Sequence, residues 1–141
     1  MRRLSLGKEI PVGTLGLCID KLHPAVKAFR CDRHTTPPWS DIVTHAELAV
    51  LDGLDITPIV QMIDNFERNH KLGLLFECRV GRGRLLVCTA RLSEITDRPE
   101  VRAFAKCLLD YAVSPSFNPS ASLDMATLRT VLAPKEEKHE V

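Results

Sequence analysis

The most restrictive stretch of the chain is Leu72 to Ala90, where two apolar runs meet across Gly81-Arg82-Gly83. In the first run Leu72, Leu74, Phe76, Cys78 and Val80 take alternate positions, with Gly73, Leu75, Glu77 and Arg79 between them. A period of two is the strand repeat, so this run predicts a strand over 72–80 with one mainly apolar face. The second run, Arg84 to Ala90, is nearly all apolar and predicts a more central strand over 84–90. Two strands joined by a glycine-bearing turn make an antiparallel hairpin, because glycine supplies the positive φ that tight turns need. A chain that houses this hairpin has a sheet, and the other elements must be arranged around it.

Three further short apolar runs, Thr14 to Ile19, Leu48 to Leu51 and Ile59 to Ile63, are bounded by turn formers and read as buried strands. Pro24 opens a short helical turn through Phe29. Cys31 to Ser40 contains Pro37-Pro38 and reads as a loop, with Ser40 or Asp41 capping a helical turn that runs to about His45. After Ser93 the repeat changes: Val101, Phe104, Ala105, Leu108, Leu109 and Ala112 form one stripe at helical spacing. Asp97 with Glu100 resembles a capping box and Pro99 suits a first turn, so a long amphipathic helix is expected over about 98–113. A shorter helix follows over 123–132, with Ser122 as its cap. Several short strands with a long amphipathic helix predict an α/β domain built on about five strands, mostly parallel apart from the hairpin. The expected organisation is a loose arm over 1–11, a single α/β domain over 12–133 and a charged, mobile tail over 134–141.

Charge and composition exclude several classes. Nineteen basic residues against eighteen acidic ones leave a net charge of +1, with no long basic run, so no nucleic-acid partner is expected. No apolar run approaches the ~20 residues needed to span a bilayer. Leu4-Ser5-Leu6-Gly7-Lys8 after Met1-Arg2-Arg3 is no apolar signal core, which points to the cytoplasm. The five cysteines, Cys18, Cys31, Cys78, Cys88 and Cys107, form no Cys-x-x-Cys pair; an odd number at irregular spacing predicts free, mostly buried thiols in a reducing setting.

The chemistry-bearing residues are few. No Gly-x-Ser-x-Gly elbow is present, and Cys18 lies inside an apolar run and reads as a buried strand thiol. Cys31 with His34, and His34 with His45, lack the further ligands of a closed zinc site, so no metal is expected. Gly81-Arg82-Gly83-Arg84 precedes a strand, whereas phosphate cradles precede a helix, and no other cofactor motif stands out. Asp64, Glu67 and His70 lie within Asp64 to Lys71 and form either an acid/base set or a solvated connection whose charges pair with each other. Trp39, the only tryptophan, shares a proline-rich loop with His34. Its ring can stack on a sugar, anchor an interface or pack the loop onto the body. His34, Trp39, Asn69 and His70 are thus the candidate carbohydrate or interface contacts.

Several stretches also carry a family resemblance: Gly13-Thr14-Leu15-Gly16-Leu17, His23-Pro24-Ala25 with Phe29, Pro58-Ile59-Val60-Gln61 and Ile63 to Gly73. It continues through Leu75-Phe76-Glu77, Val80-Gly81 with Gly83, Leu85-Leu86-Val87-Cys88, Arg98-Pro99-Glu100, Tyr111 and Phe117-Asn118-Pro119. Together these resemble the C-terminal region of bacterial family 2 glycoside hydrolases of the β-galactosidase-like, "sugar-binding" group; Pro58 to Cys88 is the specific block. The resemblance implies a partial flavodoxin-like, class I glutamine amidotransferase-like module that accompanies a catalytic barrel and lacks catalytic residues of its own. It also implies that the first strand-helix units of the module are missing, and it admits a periplasmic setting.

The expected function is therefore a non-catalytic accessory or assembly module that docks to itself, as a homo-oligomer, or to a glycoside hydrolase catalytic domain. The alternatives are a carbohydrate-binding module using the Trp39 loop and, behind it, a small hydrolase using Asp64, Glu67 and His70.

Overall fold

One strand organises the molecule. The computed structural model describes residues 16–29, 37–64 and 69–133. Strand β4, Leu72–Val80, is the longest, and each of its edges serves two partners in turn. Its first residues pair with β2 (Ala49–Val50) on one edge and β3 (Val60–Met62) on the other. Its later residues pair with β5 (Gly83–Cys88) and, at Arg79 and Val80, with β6 (Ser122–Leu123). A sixth strand, β1 (Leu17–Ile19), pairs with β3. The turn between β4 and β5 places Gly81 at φ 57°, a left-handed conformation that side chains disfavour. The hairpin thus spans Leu72–Val80 and Gly83–Cys88, where period and turn chemistry put it.

The sheet around the hairpin corrects the expected class. The pairings β1–β3, β2–β4, β3–β4 and β4–β5 are all antiparallel, and only β4–β6 is parallel. A mostly parallel, flavodoxin-like sheet is therefore not what this chain forms; the sheet is mixed, mainly antiparallel and six-stranded. Connection length explains part of the difference. Parallel neighbours need a crossover of about a dozen residues or more. Segment 63–71 is shorter than that, so β3 and β4 pair antiparallel, whereas β1–β3 and β2–β4 are antiparallel across longer stretches of chain. The one parallel pair is joined through the long connection that contains a helix.

A β-bulge splits the face that alternation assigned to β4. Val60 pairs with Leu75 whereas Gln61 pairs with Gly73, so Leu74 is an extra residue opposite β3. Side-chain parity flips there. Leu72, Leu74 and Leu75 pack in one apolar cluster, and Phe76, Cys78 and Val80 in a second, on the other face. The carbonyl of Leu74 accepts from the Thr89 backbone N–H (2.9 Å) and the Thr89 hydroxyl (3.3 Å), so the bulge leaves it paired. Gly73 is required by close approach, since a Cβ there would stand 2.8 Å from Leu51 Cδ1. Strand β5 is not central as its apolar run suggested: among the described residues it pairs only with β4 as a strand. Its residues are apolar on both sides because Leu86 and Cys88 reach the first cluster while Leu85 and Val87 reach the second.

Helices cover both faces. α1 (Pro37–Thr44) and α2 (Pro99–Ala112) contact each other and bury Trp39, Ile42, Val43, Val101, Phe104, Leu108 and Tyr111 in the first cluster. α3 (Met125–Leu132) buries Val131 in the second. Pro37-Pro38 opens α1 rather than belonging to a loop, because first-turn N–H groups have no helical partner for proline to forfeit. α2 lies where the helical stripe predicts one but has 14 residues, an ordinary helix rather than a long one. The expected capping box is absent: Arg98 is the N-cap and makes no side-chain cap bond, and Pro99 starts the helix. α3 is capped by Asp124, not Ser122, which β6 takes up; the Thr127 N–H donates to the Asp124 carboxylate. The segment after Pro24 is a run of turns, with Lys27 N–H donating to the His23 carbonyl.

Candidate functional site

The bulge decides which side chains of β4 meet α2. Past Leu75, Glu77 rather than Phe76 points to the side of Tyr111. Its carboxylate is held by two neutral donors. The Tyr111 hydroxyl donates to Oε2 at 2.5 Å, and His23 approaches Oε1 through Nε2 at 3.2 Å. The backbone N–H of Ala25 donates to His23 Nδ1 at 3.1 Å, so Nδ1 is the acceptor and Nε2 carries the proton given to Glu77. The rings of His23 and Tyr111 meet edge to face, centroids 5.3 Å apart at 70°. The side chains of His23 and Glu77 are each 18% exposed. Burial, and then the bond to the Glu77 carboxylate and its charge, push the Tyr111 hydroxyl well above the ordinary phenol range. Above this array opens a cavity of about 520 Å³, lined by Asp20, His23, Asp55, Thr57, Glu77 and Ser120 with apolar walls from Pro58 and Ile59.

A second array lies at the start of β4. His70 Nδ1 donates to Asp52 Oδ2 at 2.5 Å, and the Lys71 N–H donates to Asp52 Oδ1 at 2.7 Å. The His70 N–H donates to Asp64 Oδ2 at 3.2 Å. Lys71 Nζ donates to the carbonyls of Leu54 (2.7 Å) and Ile56 (3.0 Å), pinning the 54–56 turn. Burial works to raise the Asp52 pKa, but the Lys71 and His70 hydrogen bonds and charges outweigh it, and the carboxyl sits below its ordinary range. A shallower cavity of about 410 Å³ is lined by Asp52, Thr57, Gln61, Asn69, His70 and Lys71.

The candidates named from sequence are distributed unevenly. Asp64 accepts from the backbone N–H of His70, whose ring bonds Asp52 instead, while Glu67 and His34 lie outside the described residues. Asn69 is exposed on the wall of the second cavity. Trp39 is fully buried, edge-on to Phe29 (5.3 Å) and Phe104 (5.1 Å), so it anchors α1 in the core and presents no face to a sugar. Sequence reasoning missed His23, Glu77, Tyr111 and Asp52. The available signals were a lone carboxylate inside an apolar strand for Glu77 and an Asp-Gly turn after a strand for Asp52.

A third feature is the outer edge of β5. The Thr89 N–H donates to the Leu74 carbonyl while Cys88 faces Leu75, which makes Cys88–Leu75 a pair without mutual bonds. Counting back along the ladder, Gly83, Leu85 and Val87 bond to β4, and Arg84, Leu86 and Cys88 turn their N–H and C=O groups outward. Among the described residues no strand receives them. Leu85, Leu86 and Val87 are only half-buried.

Among the described residues no group of three His, Cys, Asp or Glu side chains could hold a metal ion, and no helix is long and apolar enough to cross a membrane. The model of a family described as "Domain of unknown function (DUF8487)" matches residues 4–133. No curated protein matches the chain.

Proposed function

The chain belongs to the DUF8487 family, and we propose that it is a non-catalytic accessory module that docks through the open edge of β5, in the manner of the C-terminal part of a family 2 glycoside hydrolase. The observation that carries this reading is the edge itself: half-buried apolar side chains on both faces of a strand whose alternate N–H and C=O groups point away from the sheet. Such an edge is a template for strand addition, and proteins that do not use one usually blunt it. Within β5 the one charged residue is Arg84, and its guanidinium is turned back to the Phe117 carbonyl and ring. The block Pro58 to Cys88, on which the glycoside hydrolase resemblance rests, builds β3, β4 and β5, the strands that form and support this edge. The test is association by light scattering and by titration against a family 2 glycoside hydrolase catalytic domain, with the wild type and Leu86→Pro. Proline at 86 removes an outward donor and leaves the β4 ladder bonds in place. Association that survives this change, or none at all with either partner, refutes the docking reading.

The cavity over Glu77 favours a second reading, a carbohydrate-binding module. Its acceptors, Asp20, Asp55 and Glu77, with the Thr57 and Ser120 hydroxyls, suit a ligand rich in hydroxyl groups. This moves the sugar reading away from the Trp39 loop. Calorimetry against galactosides, glucuronides and plant oligosaccharides tests it, with Asp55→Asn at the exposed rim as the control; a Kd no better than ~1 mM sinks it.

A further inference from the structure

We infer that the occupant of the β5 edge is a second copy of this chain, paired antiparallel across a two-fold axis at Leu86; this rests on the docking reading and narrows it to one partner. The residues that turn their backbone groups outward are Arg84, Leu86 and Cys88. A two-fold axis at Leu86 sets Leu86 against Leu86 of the other copy and Arg84 against Cys88. Each of these pairs exchanges two backbone bonds, because all three residues present N–H and C=O on the same side. A register shifted by one residue would face outward groups with inward ones and lose the bonds.

The side chains agree with that register on both faces. On the face of the first apolar cluster, Leu86 meets Leu86 of the other copy; on the opposite face, Leu85 meets Val87. Apolar residues thus lie opposite apolar residues, and half-exposed leucines gain burial. The single charge of the strand, Arg84, falls opposite the neutral Cys88, so no like charges face each other. The symmetry is isologous: one short strand supplies both halves of the interface, and closure stops at the dimer.

Light scattering from about 10 μM to about 1 mM spans the affinities that one strand pair can reach. The expected result is a rise in mass toward twice 15.7 kDa for the wild type and a constant 15.7 kDa for Leu86→Pro. Amide hydrogen exchange gives a reading that needs no substitution. The N–H groups of Arg84, Leu86 and Cys88 should slow with rising concentration, by about tenfold or more, while those of Leu85 and Val87 are protected at every concentration. Emission from Trp39, the only tryptophan and fully buried, reports whether Leu86→Pro stays folded. If it does not, the alternating exchange pattern decides alone. A wild-type monomer at the highest concentration, a dimer indifferent to Leu86→Pro, or exchange without the alternation overturns the self-pairing. A monomer that still binds a glycoside hydrolase catalytic domain through Leu86 overturns this inference and leaves the docking reading standing; a monomer that binds neither removes both.

Discussion

Tyr111→Phe removes one of the two side-chain donors that hold the Glu77 carboxylate and leaves His23 as the other. The hydroxyl donates to Glu77 Oε2 at 2.5 Å, the tyrosine is 4% exposed and the Glu77 side chain 18% exposed. Hydrogen bonds to charged groups contribute about 1.5–3 kcal/mol, and deleting one partner of a buried pair forfeits that and leaves the other under-solvated. The variant should therefore lose about 2 kcal/mol at neutral pH. With an unfolding entropy of about 0.3 kcal/mol per kelvin for a chain of this length, Tm falls by about 7 °C. The pH dependence has a definite sign. The folded state holds the Tyr111 proton more tightly than the unfolded chain does, so this stabilisation is complete below the ordinary phenol pKa of about 10 and is lost as pH rises beyond it. The gap between wild type and Tyr111→Phe should then narrow between neutral pH and pH values above about 10. Urea denaturation at both pH values measures it. Tyr111 is the only tyrosine in the chain, so tyrosinate absorbance follows its ionisation directly and should appear late, with unfolding. A variant as stable as the wild type, a gap that does not change with pH, or tyrosinate formed in the folded protein near pH 10 would falsify the assigned role of this bond.

Three further outcomes follow from the packing. Trp39→Ala should destabilise by about 3–5 kcal/mol in urea titrations, because the indole is fully buried among Phe29 and Phe104; a loss below about 1 kcal/mol would mean the ring is not a core anchor. Gly73→Ala should cost about 1–3 kcal/mol, since the new methyl must displace Leu51 within a filled cluster; unchanged urea stability would show that Leu51 yields freely. Thiol labelling of the native protein at neutral pH, read by mass spectrometry, should modify Cys18, which is exposed on β1 rather than buried as its apolar run suggested, ahead of the buried Cys78 and the partly buried Cys88; burial pushes the Cys88 thiol up to about 11 and also raises that of Cys78, and early labelling of either would contradict their placement.

What was legible in the sequence is what depends on neighbours in the chain. The hairpin of β4 and β5 and the stripe of α2 are local patterns, and the structure has both elements in those places. The topology depends on connections. Segment 63–71 is too short for a parallel crossover, so β3 returns antiparallel to β4, while the expectation of a flavodoxin-like sheet rested on the family resemblance together with mixed strand and helix signals. The apolar run of β5 suggested a central strand because apolarity on both sides is the mark of one. Here it marks a strand at the margin of two clusters, with no strand on its outer edge among the described residues. The sites were less legible still. Glu77 meets residues 54 positions before it and 34 after it, and Asp52 meets His70 across 18, so no short-range spacing announces either array.

The bulge at Leu74 links the fold to the candidate site. In an uninterrupted strand Leu72, Leu74 and Phe76 would share one face, and Glu77 would turn to the other, toward the cluster that holds Ala49, Ile56 and Cys78. The side chains of that cluster are apolar apart from the weak thiol donor of Cys78, and burying a carboxylate among them would cost several kcal/mol. The extra residue rotates the second half of the strand so that Phe76 fills the apolar cluster and Glu77 faces Tyr111 and His23. In the sequence its only sign is Leu74-Leu75, two leucines that alternation treats as one inside and one outside. The parity change therefore resolves a conflict that the sequence pattern carries: both leucines are buried, on the same side, and the carboxylate that looked misplaced in an apolar strand is where the phenol and imidazole donate to it.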